Sequence, residues 1–263
     1  MKNNEIREAN RKALPKLLAL LAILLTVGFA LGFLAAKYGL NELSGVLKKA
    51  GSFFGMNVAP WLMVLLAAAV PIICVPVYRS AKKLLGVWDG EDEAVYDTVD
   101  RKLSAVMWIA GAAMIVAYFL MAAAYSGAAA LLADGNAPVW YFTAVAAFIA
   151  GAVEMLILGQ KCVDAAKEMA PEKKASFYDM QFQKKWIEDC DEAEKIRIGR
   201  CAYKAYSATN RVCAVSAGVL AVCALIFDIG FLPSLAICTV WIVNQSVYCK
   251  EAMRYARAGN KIS

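Results

Sequence analysis

Six long apolar runs constrain this chain more than any other feature of its sequence. Each run approaches the length of a bilayer-crossing helix, because an α-helix rises about 1.5 Å per residue and a hydrocarbon core is about 30 Å thick. Hydrophobic residues make up 61% of the 263 residues and charged residues only 19%, whereas soluble domains stand nearer to about half and about a quarter. The sequence therefore predicts an all-α integral membrane protein.

We expect six transmembrane helices that form three helical hairpins in one multi-pass membrane domain covering residues 1–263. Their approximate ranges are 17–36, 59–78, 103–125, 138–160, 212–230 and 233–248. Two long helical connections, 79–102 and 161–211, follow the second and fourth spans.

The Lys and Arg residues predict the orientation of these helices. Of 28 such residues, 25 fall in the two terminal tails and the two long connections, which all lie on one side of the membrane. Basic residues concentrate on the cytoplasmic side of plasma-membrane proteins, so we expect both termini to be cytoplasmic. Contacts with the anionic lipid bilayer explain the formal net charge of +6, and no direct nucleic-acid partner is needed.

Several classes of chemistry are excluded by missing residues and motifs. The chain has no histidine, which rules out a Ser-His-Asp triad, an HExxH zinc site and histidine proton relays. It has no GxxxxGK[ST] or GxGxxG motif for nucleotides, and its eight cysteines include no CxxC pair. We therefore expect no enzyme activity, no cofactor and no metal.

Short repeated sequences suggest that the three hairpins are copies of one unit. The approach to each odd-numbered span contains an acidic or amide residue followed by arginine, at 10–11, 100–101 and 210–211. In addition, Trp88 and Trp186 each precede an acidic cluster that ends in Asp-Glu-Ala, at 92–94 and 191–193. Acidic residues early in such a helix favour its start because they complement the helix dipole.

Glu154 is the candidate for an intramembrane polar site. It lies about 16 residues into the fourth predicted span, or about 24 Å by helical rise, and an ionised carboxylate is costly at that depth. Asn244 and Gln245 of the sixth span are its expected partners. Two interpretations stay open: a protonated glutamate that holds helices together, or a group that handles a proton or cation.

The cytoplasmic connection before the fifth span carries the candidate docking surface. Phe182, Trp186, Cys190 (or Asp189), Ala193 and Arg197 recur at 3-to-4 spacing, which predicts one apolar and aromatic helix face. We assign Phe182, Trp186 and Trp88 to a surface that binds a partner. The neighbouring acidic residues match no EF-hand spacing, so solvated ion pairs are the preferred interpretation.

The run FYDMQFQKKWIEDCDEAEK at 177–195, together with AYKAY at 202–206, resembles a family of bacterial membrane proteins. This is the family catalogued as domain of unknown function three-one-six-nine, found mostly in Gram-positive Bacillota. The resemblance implies a multi-pass protein of the bacterial plasma membrane, with no established activity and no catalytic residues to carry over. Genes of that family often lie near small helix-turn-helix regulators or exporter genes, which implies a cytoplasmic regulator or a transporter ATPase as partner.

Two functional hypotheses follow. The first is a regulatory or accessory membrane protein that docks a cytoplasmic partner through its juxtamembrane helices. The alternative is a small transporter or permease with a polar site around Glu154 and Asn244-Gln245. The substrate, the partner, the oligomeric state and the physiological trigger are not determined by the sequence.

Overall fold

The computed structural model describes residues 41–133, 139–227 and 229–257, together with six isolated helical positions between 15 and 33. Within those ranges all regular structure is helical, and the all-α prediction is confirmed there. The α-helices are α1 (Asn41–Phe53), α2 (Ala59–Leu85), α3 (Glu93–Ala133), α4 (Val139–Met169), α5 (Phe182–Glu188), α6 (Glu192–Phe227) and α7 (Leu232–Arg257). A π-helical turn, Phe54–Val58, joins α1 to α2.

Five helical stretches in the described part of the chain are long and apolar enough to cross a membrane. They are Gly45–Leu85, Glu93–Ser126, Val139–Met169, Glu192–Ala224 and Leu232–Arg254. Five of the six predicted spans fall on these stretches, which indicates a membrane-embedded protein. The predicted span 17–36 lies outside the described residues apart from the isolated positions, so the count of six and the orientation stay predictions.

The helices extend well beyond the predicted spans, and the two long connections are mostly continuations of them. α2 runs on to Leu85 and α4 to Met169, while α3 already begins at Glu93 and α6 at Glu192. Charged residues on exposed helix faces do not interrupt a helix, so the change from apolar to polar sequence does not mark a helix end.

The fifth predicted span ends earlier than expected. The prediction extended the helix to residue 230, but residues 229 and 230 are not helical, and α6 is described as far as Phe227. Gly230 has φ of +70°, a conformation that glycine adopts at little cost and that cannot continue a right-handed helix. The turn into α7 therefore begins before the expected boundary.

The described chain divides into two compact units, of which the larger comprises residues 48–197. In this unit α2, α3 and α4 pack against one another as a three-helix bundle. One buried cluster contains Cys74, Val99, Val106, Leu158 and Cys162, and a second contains Ala59, Met63, Leu120, Met121 and Ala144. A cavity of about 20 Å³ is lined by residues of both clusters, among them Met63 and Val70, and also by Gly151.

The outer faces of this bundle are strongly apolar. More than half of the side-chain surface is exposed at Trp61, Ile72, Trp108, Ile115 and Phe142. A soluble monomer rarely presents so large an apolar surface to water. These faces fit contact with the lipid bilayer.

The smaller unit comprises residues 1–47 and 198–263, of which the structure describes chiefly the later part of α6 and all of α7. These two helices are joined by the Gly230 turn and exchange side-chain hydrogen bonds, which are described below.

Candidate functional site

Glu154 lies on α4, in the part of that helix long and apolar enough to cross a membrane. It is one helical turn from Leu158, a buried core residue, and from Gly151, which lines the small cavity. Its Oε2 atom is buried and receives no hydrogen bond from any described protein group; it is the one buried side-chain oxygen or nitrogen of which this holds among the described residues. Buried polar atoms are nearly always hydrogen-bonded, so this carboxyl group remains a candidate functional residue.

Asn244 and Gln245 form hydrogen bonds between α6 and α7. The Asn244 amide nitrogen donates to Asn210 Oδ1 over 3.2 Å, and Tyr206 donates to Gln245 Oε1 over 2.7 Å. The rings of Tyr206 and Tyr248 stack with their centroids 4.3 Å apart. Both amides thus hold the hairpin of the smaller unit together. Their expected partnership with Glu154, a residue of the other unit, stays a prediction.

The three predicted docking residues each take part in aromatic contacts in the larger unit, in two separate sets. Phe177 packs on Phe182 and Phe182 on Trp186, each pair with ring centroids 5.5 Å apart. Trp88 packs on Tyr96 at 6.0 Å. We call these five residues, together with Lys173, the aromatic chain.

Lys173 contacts the Trp186 ring of the aromatic chain, and sequence reasoning missed it. Its Nζ atom lies 4.8 Å from the centre of the Trp186 ring and donates to Glu194 Oε1 over 2.7 Å. Desolvation lowers the pKa of Lys173, but the hydrogen bond and charge of Glu194, with a smaller contribution from nearby Tyr96, outweigh it and leave the pKa raised. No spacing signal marks this lysine, because its burial, with only 7% of its surface exposed, depends on the fold of the connection.

The connection between α4 and α6 is not the single amphipathic helix that its spacing predicts. The short helix α5 ends at Glu188, and residues 189–191 form a turn before α6 begins. Asp189 Oδ2 accepts a hydrogen bond from the Lys174 backbone N–H over 2.8 Å. The predicted face from Phe182 to Arg197 is therefore interrupted, because this turn separates α5 from the helix that carries Ala193 and Arg197.

The two Asp-Glu-Ala sequences, at 92–94 and 191–193, begin their helices in the same way. Asp92 Oδ1 accepts the backbone N–H of Ala94 over 2.9 Å and that of Val95 over 3.3 Å. Asp191 Oδ1 accepts the backbone N–H of Glu194 over 2.6 Å. Each aspartate directly precedes a long helix and serves as its N-cap. The repeated Asp-Glu-Ala tripeptide thus corresponds to a repeated local structure, although the two copies lie at different distances from the apolar run that follows each of them.

Asp179, another acidic residue of the connection, has a structural role. Asp179 accepts a hydrogen bond from the Gln181 backbone N–H over 2.8 Å and forms an ion pair with Lys185. The Lys185 ammonium and that backbone bond lower the pKa of Asp179. No group of acidic or cysteine side chains suited to a metal ion occurs among the described residues.

No protein-family model matches the chain, and neither the curated proteins nor the solved structures yield a match. The resemblance to the family of unknown function stays a prediction.

Proposed function

We propose that this chain is a regulatory or accessory protein of the bacterial plasma membrane that docks a cytoplasmic partner at the end of its larger unit. The docking surface surrounds the aromatic chain and includes exposed apolar side chains beside it. Val87 lies two residues after the end of α2 with 80% of its surface exposed, and Ile187 lies next to Trp186 with 41% exposed.

The observation that carries this proposal is the fixed conformation of the long connection 170–191. Connections of this length with little regular structure are uncommon in compact proteins and usually have a function. This one is held by the buried Lys173–Glu194 pair, by the Lys174–Asp189 hydrogen bond and by the Asp179–Lys185 pair. A connection needed only to link two helices would not require so many specific contacts.

Aromatic residues beside such a fixed connection suit partner binding. Tryptophan and tyrosine contribute much of the binding energy of protein interfaces because they bury a large area at little conformational cost. Trp186 and Trp88 are each half-buried, so their contacts within the chain position them while part of each ring stays accessible.

Photocrosslinking in native membranes tests this proposal. A photoreactive amino acid replaces Val87, which is exposed beside Trp88, and the crosslinked products are identified by mass spectrometry. We expect one regulator or transporter ATPase, and we expect its yield to fall sharply when Ile187→Glu or Trp186→Ala is added. The Ile187→Glu change introduces a charge at the surface and leaves the ring contacts of the aromatic chain in place.

Trp108→Ala is the matched control, because Trp108 is a largely exposed tryptophan on the apolar face of α3. It should leave the crosslink unchanged. The proposal is wrong if the same products form at the same yield in all three variants.

A second function, transport of a proton or small cation, is favoured by Glu154 Oε2, which has no hydrogen-bond partner among the residues that the structure describes. Its carboxyl group is in an apolar helix. An ionised carboxylate inside the membrane costs free energy, so such groups usually have a partner or a function. The small-transporter hypothesis places the substrate beside this carboxyl group.

Proteoliposomes that contain an internal pH dye separate this function from a purely structural one. Glu154→Gln preserves the shape of the side chain and removes its charge, so cation-driven or potential-driven changes in internal pH should disappear. Glu172→Gln, which changes an exposed carboxylate of the connection, is the control and should leave the signal intact. Equal signals from the wild type, Glu154→Gln and protein-free vesicles would reject transport of protons.

A further inference from the structure

The larger unit has a basic end, which we define by Arg79, Lys82, Arg101, Lys102 and Lys161. These are the first basic residues beyond the apolar stretches of α2, α3 and α4. Two contacts bring this end together: Lys102 Nζ donates to Ser80 Oγ over 2.8 Å, and Lys82 pairs with Glu168. Because basic residues collect where a helix leaves the hydrocarbon, this level marks one boundary of the membrane.

The connection after α4 returns to this boundary. α4 continues to Met169, which is nine residues and about 14 Å beyond Gln160 along the helix. The chain then folds back, and Gln160 Oε1 accepts hydrogen bonds from Ser176 Oγ over 3.0 Å and from the Phe177 backbone N–H over 2.9 Å. The Phe177 ring occupies the space that Gly159 leaves by having no side chain.

Two side chains at this returned segment point away from the protein. Tyr178 has 62% of its surface exposed, and Met180 is fully exposed. The charged residue between them, Asp179, is 31% exposed and is bonded to the Gln181 backbone N–H and to Lys185. Gln181 and Lys185 are exposed as well, so this surface next to the boundary combines a tyrosine and a methionine with polar groups.

We propose that Tyr178 and Met180 insert into the lipid bilayer at its interface and anchor the connection to the membrane. Tyrosine favours the headgroup level because its ring is apolar and its hydroxyl group is polar, and the flexible methionine fits the adjacent acyl region. The anchor holds the connection at the basic end whether or not a partner protein binds there, so it does not rest on the proposed function.

The test uses the full chain, reconstituted alone in phospholipid nanodiscs. Its exposed cysteines, Cys201, Cys238 and Cys249, are replaced by serine, and Met180→Cys is labelled with an environment-sensitive NBD dye. Two reference labels are placed at Val87→Cys, in the connection after α2, and at Ile72→Cys, on the apolar face of α2. All three positions are largely exposed in the protein, so labelling should not disturb its packing.

We expect the dye at position 180 to emit at shorter wavelength than the dye at position 87. Iodide in the water should quench it several-fold less, and lipids carrying a nitroxide near the headgroup should quench it strongly, as they do at position 72. Emission and iodide quenching equal to those at position 87 would overturn the proposal. Protection from iodide without quenching by nitroxide lipids would also overturn it, since the segment would then be covered by protein.

Discussion

Lys173 and Glu194 form an ion pair with a separation of 2.7 Å that joins the long connection to the first turn of α6. Their side chains are 7% and 19% exposed, so neither charge is well hydrated. The centre of the Trp186 ring lies 4.8 Å from the lysine Nζ atom. This arrangement makes Lys173 the residue on which the conformation of the connection most depends.

Replacement of Lys173 by methionine should therefore open the connection. Removing Lys173 takes away the 2.7 Å bond to Glu194, which is 19% exposed and keeps Arg197 at 3.9 Å, so we expect a local destabilisation of about 1–3 kcal/mol. Hydrogen exchange of residues 170–191, measured by mass spectrometry, should accelerate by roughly 10- to 100-fold. Lys82→Met provides the comparison, because the Lys82–Glu168 pair is about half exposed and should be worth less than about 1 kcal/mol. Equal acceleration of this hydrogen exchange by Lys173→Met and Lys82→Met would show that Lys173 does not hold the connection in place.

Gly159→Ala should displace the returned segment from α4. A Cβ atom at this position would lie 2.6 Å from Phe177 Cζ, so the ring must move, at a cost of about 1–3 kcal/mol. Gly111→Ala is the control, since a Cβ there meets no atom within 4 Å, and it should be neutral or slightly stabilising because alanine favours the helix. Protease sensitivity of the connection reports the difference. If Phe177→Ala fails to relieve the effect of Gly159→Ala, the overlap with that ring is not its cause.

The two N-cap aspartates should contribute similar stability to their helices. Asp92→Ala and Asp191→Ala each remove hydrogen bonds to the first turn of a long helix, with an expected cost of about 1 kcal/mol. Amide exchange in the first turns of α3 and α6 measures this cost. Asp97→Asn changes an exposed residue one turn into α3 and should leave that exchange unaltered. If Asp92→Ala or Asp191→Ala also left the exchange unaltered, that aspartate would not be an N-cap.

The amide groups between α6 and α7 should stabilise their hairpin. Asn244→Leu removes the 3.2 Å bond to Asn210, and interhelical hydrogen bonds in membranes are worth about 0.6–2 kcal/mol. Thermal unfolding in mild detergent should show this loss, and adding Asn210→Leu should cost less than a second independent loss. Val243→Leu changes a neighbouring exposed residue and controls for altered apolar volume. Strict additivity of the two asparagine substitutions would show that they do not interact.

The stability of the connection should be constant around neutral pH and fall at both extremes. The pKa of Asp179 is lowered by Lys185, so its contribution is present above the ordinary aspartate pKa of about 3.9 and is lost as the pH falls below it. The net pKa of Lys173 is raised, so its contribution is present below about 10.4 and is lost as the pH rises through the higher folded value. Hydrogen exchange of 170–191, corrected for intrinsic rates, checks both limits. In Lys173→Met the loss at high pH should shrink to the part contributed by Lys185, whose pKa is also raised by its bond to Asp179, while the loss at low pH from Asp179 should remain.

The helical class and most of the spans could be predicted from the sequence, because hydrophobicity and helix length are local properties. A long apolar run needs no tertiary context to be recognised, since in a bilayer each backbone amide must be satisfied within its own segment. The Asp-Glu-Ala sequences that begin α3 and α6 are also local signals, because an N-cap bonds to residues two or three positions away. Glu154 could also be selected in advance, since a carboxylate in such a run is conspicuous.

The conformation of the connection was decided only by tertiary structure. Helical spacing predicted one face from Phe182 to Arg197, but bonds between distant residues, such as that of Asp189 with Lys174, accompany a turn there. The burial of Lys173 depends on Glu194, 21 residues further along the chain. The return of Phe177 to α4 depends on the space above Gly159. Local patterns do not contain such contacts, because their free energy exists only when the chain has folded back on itself.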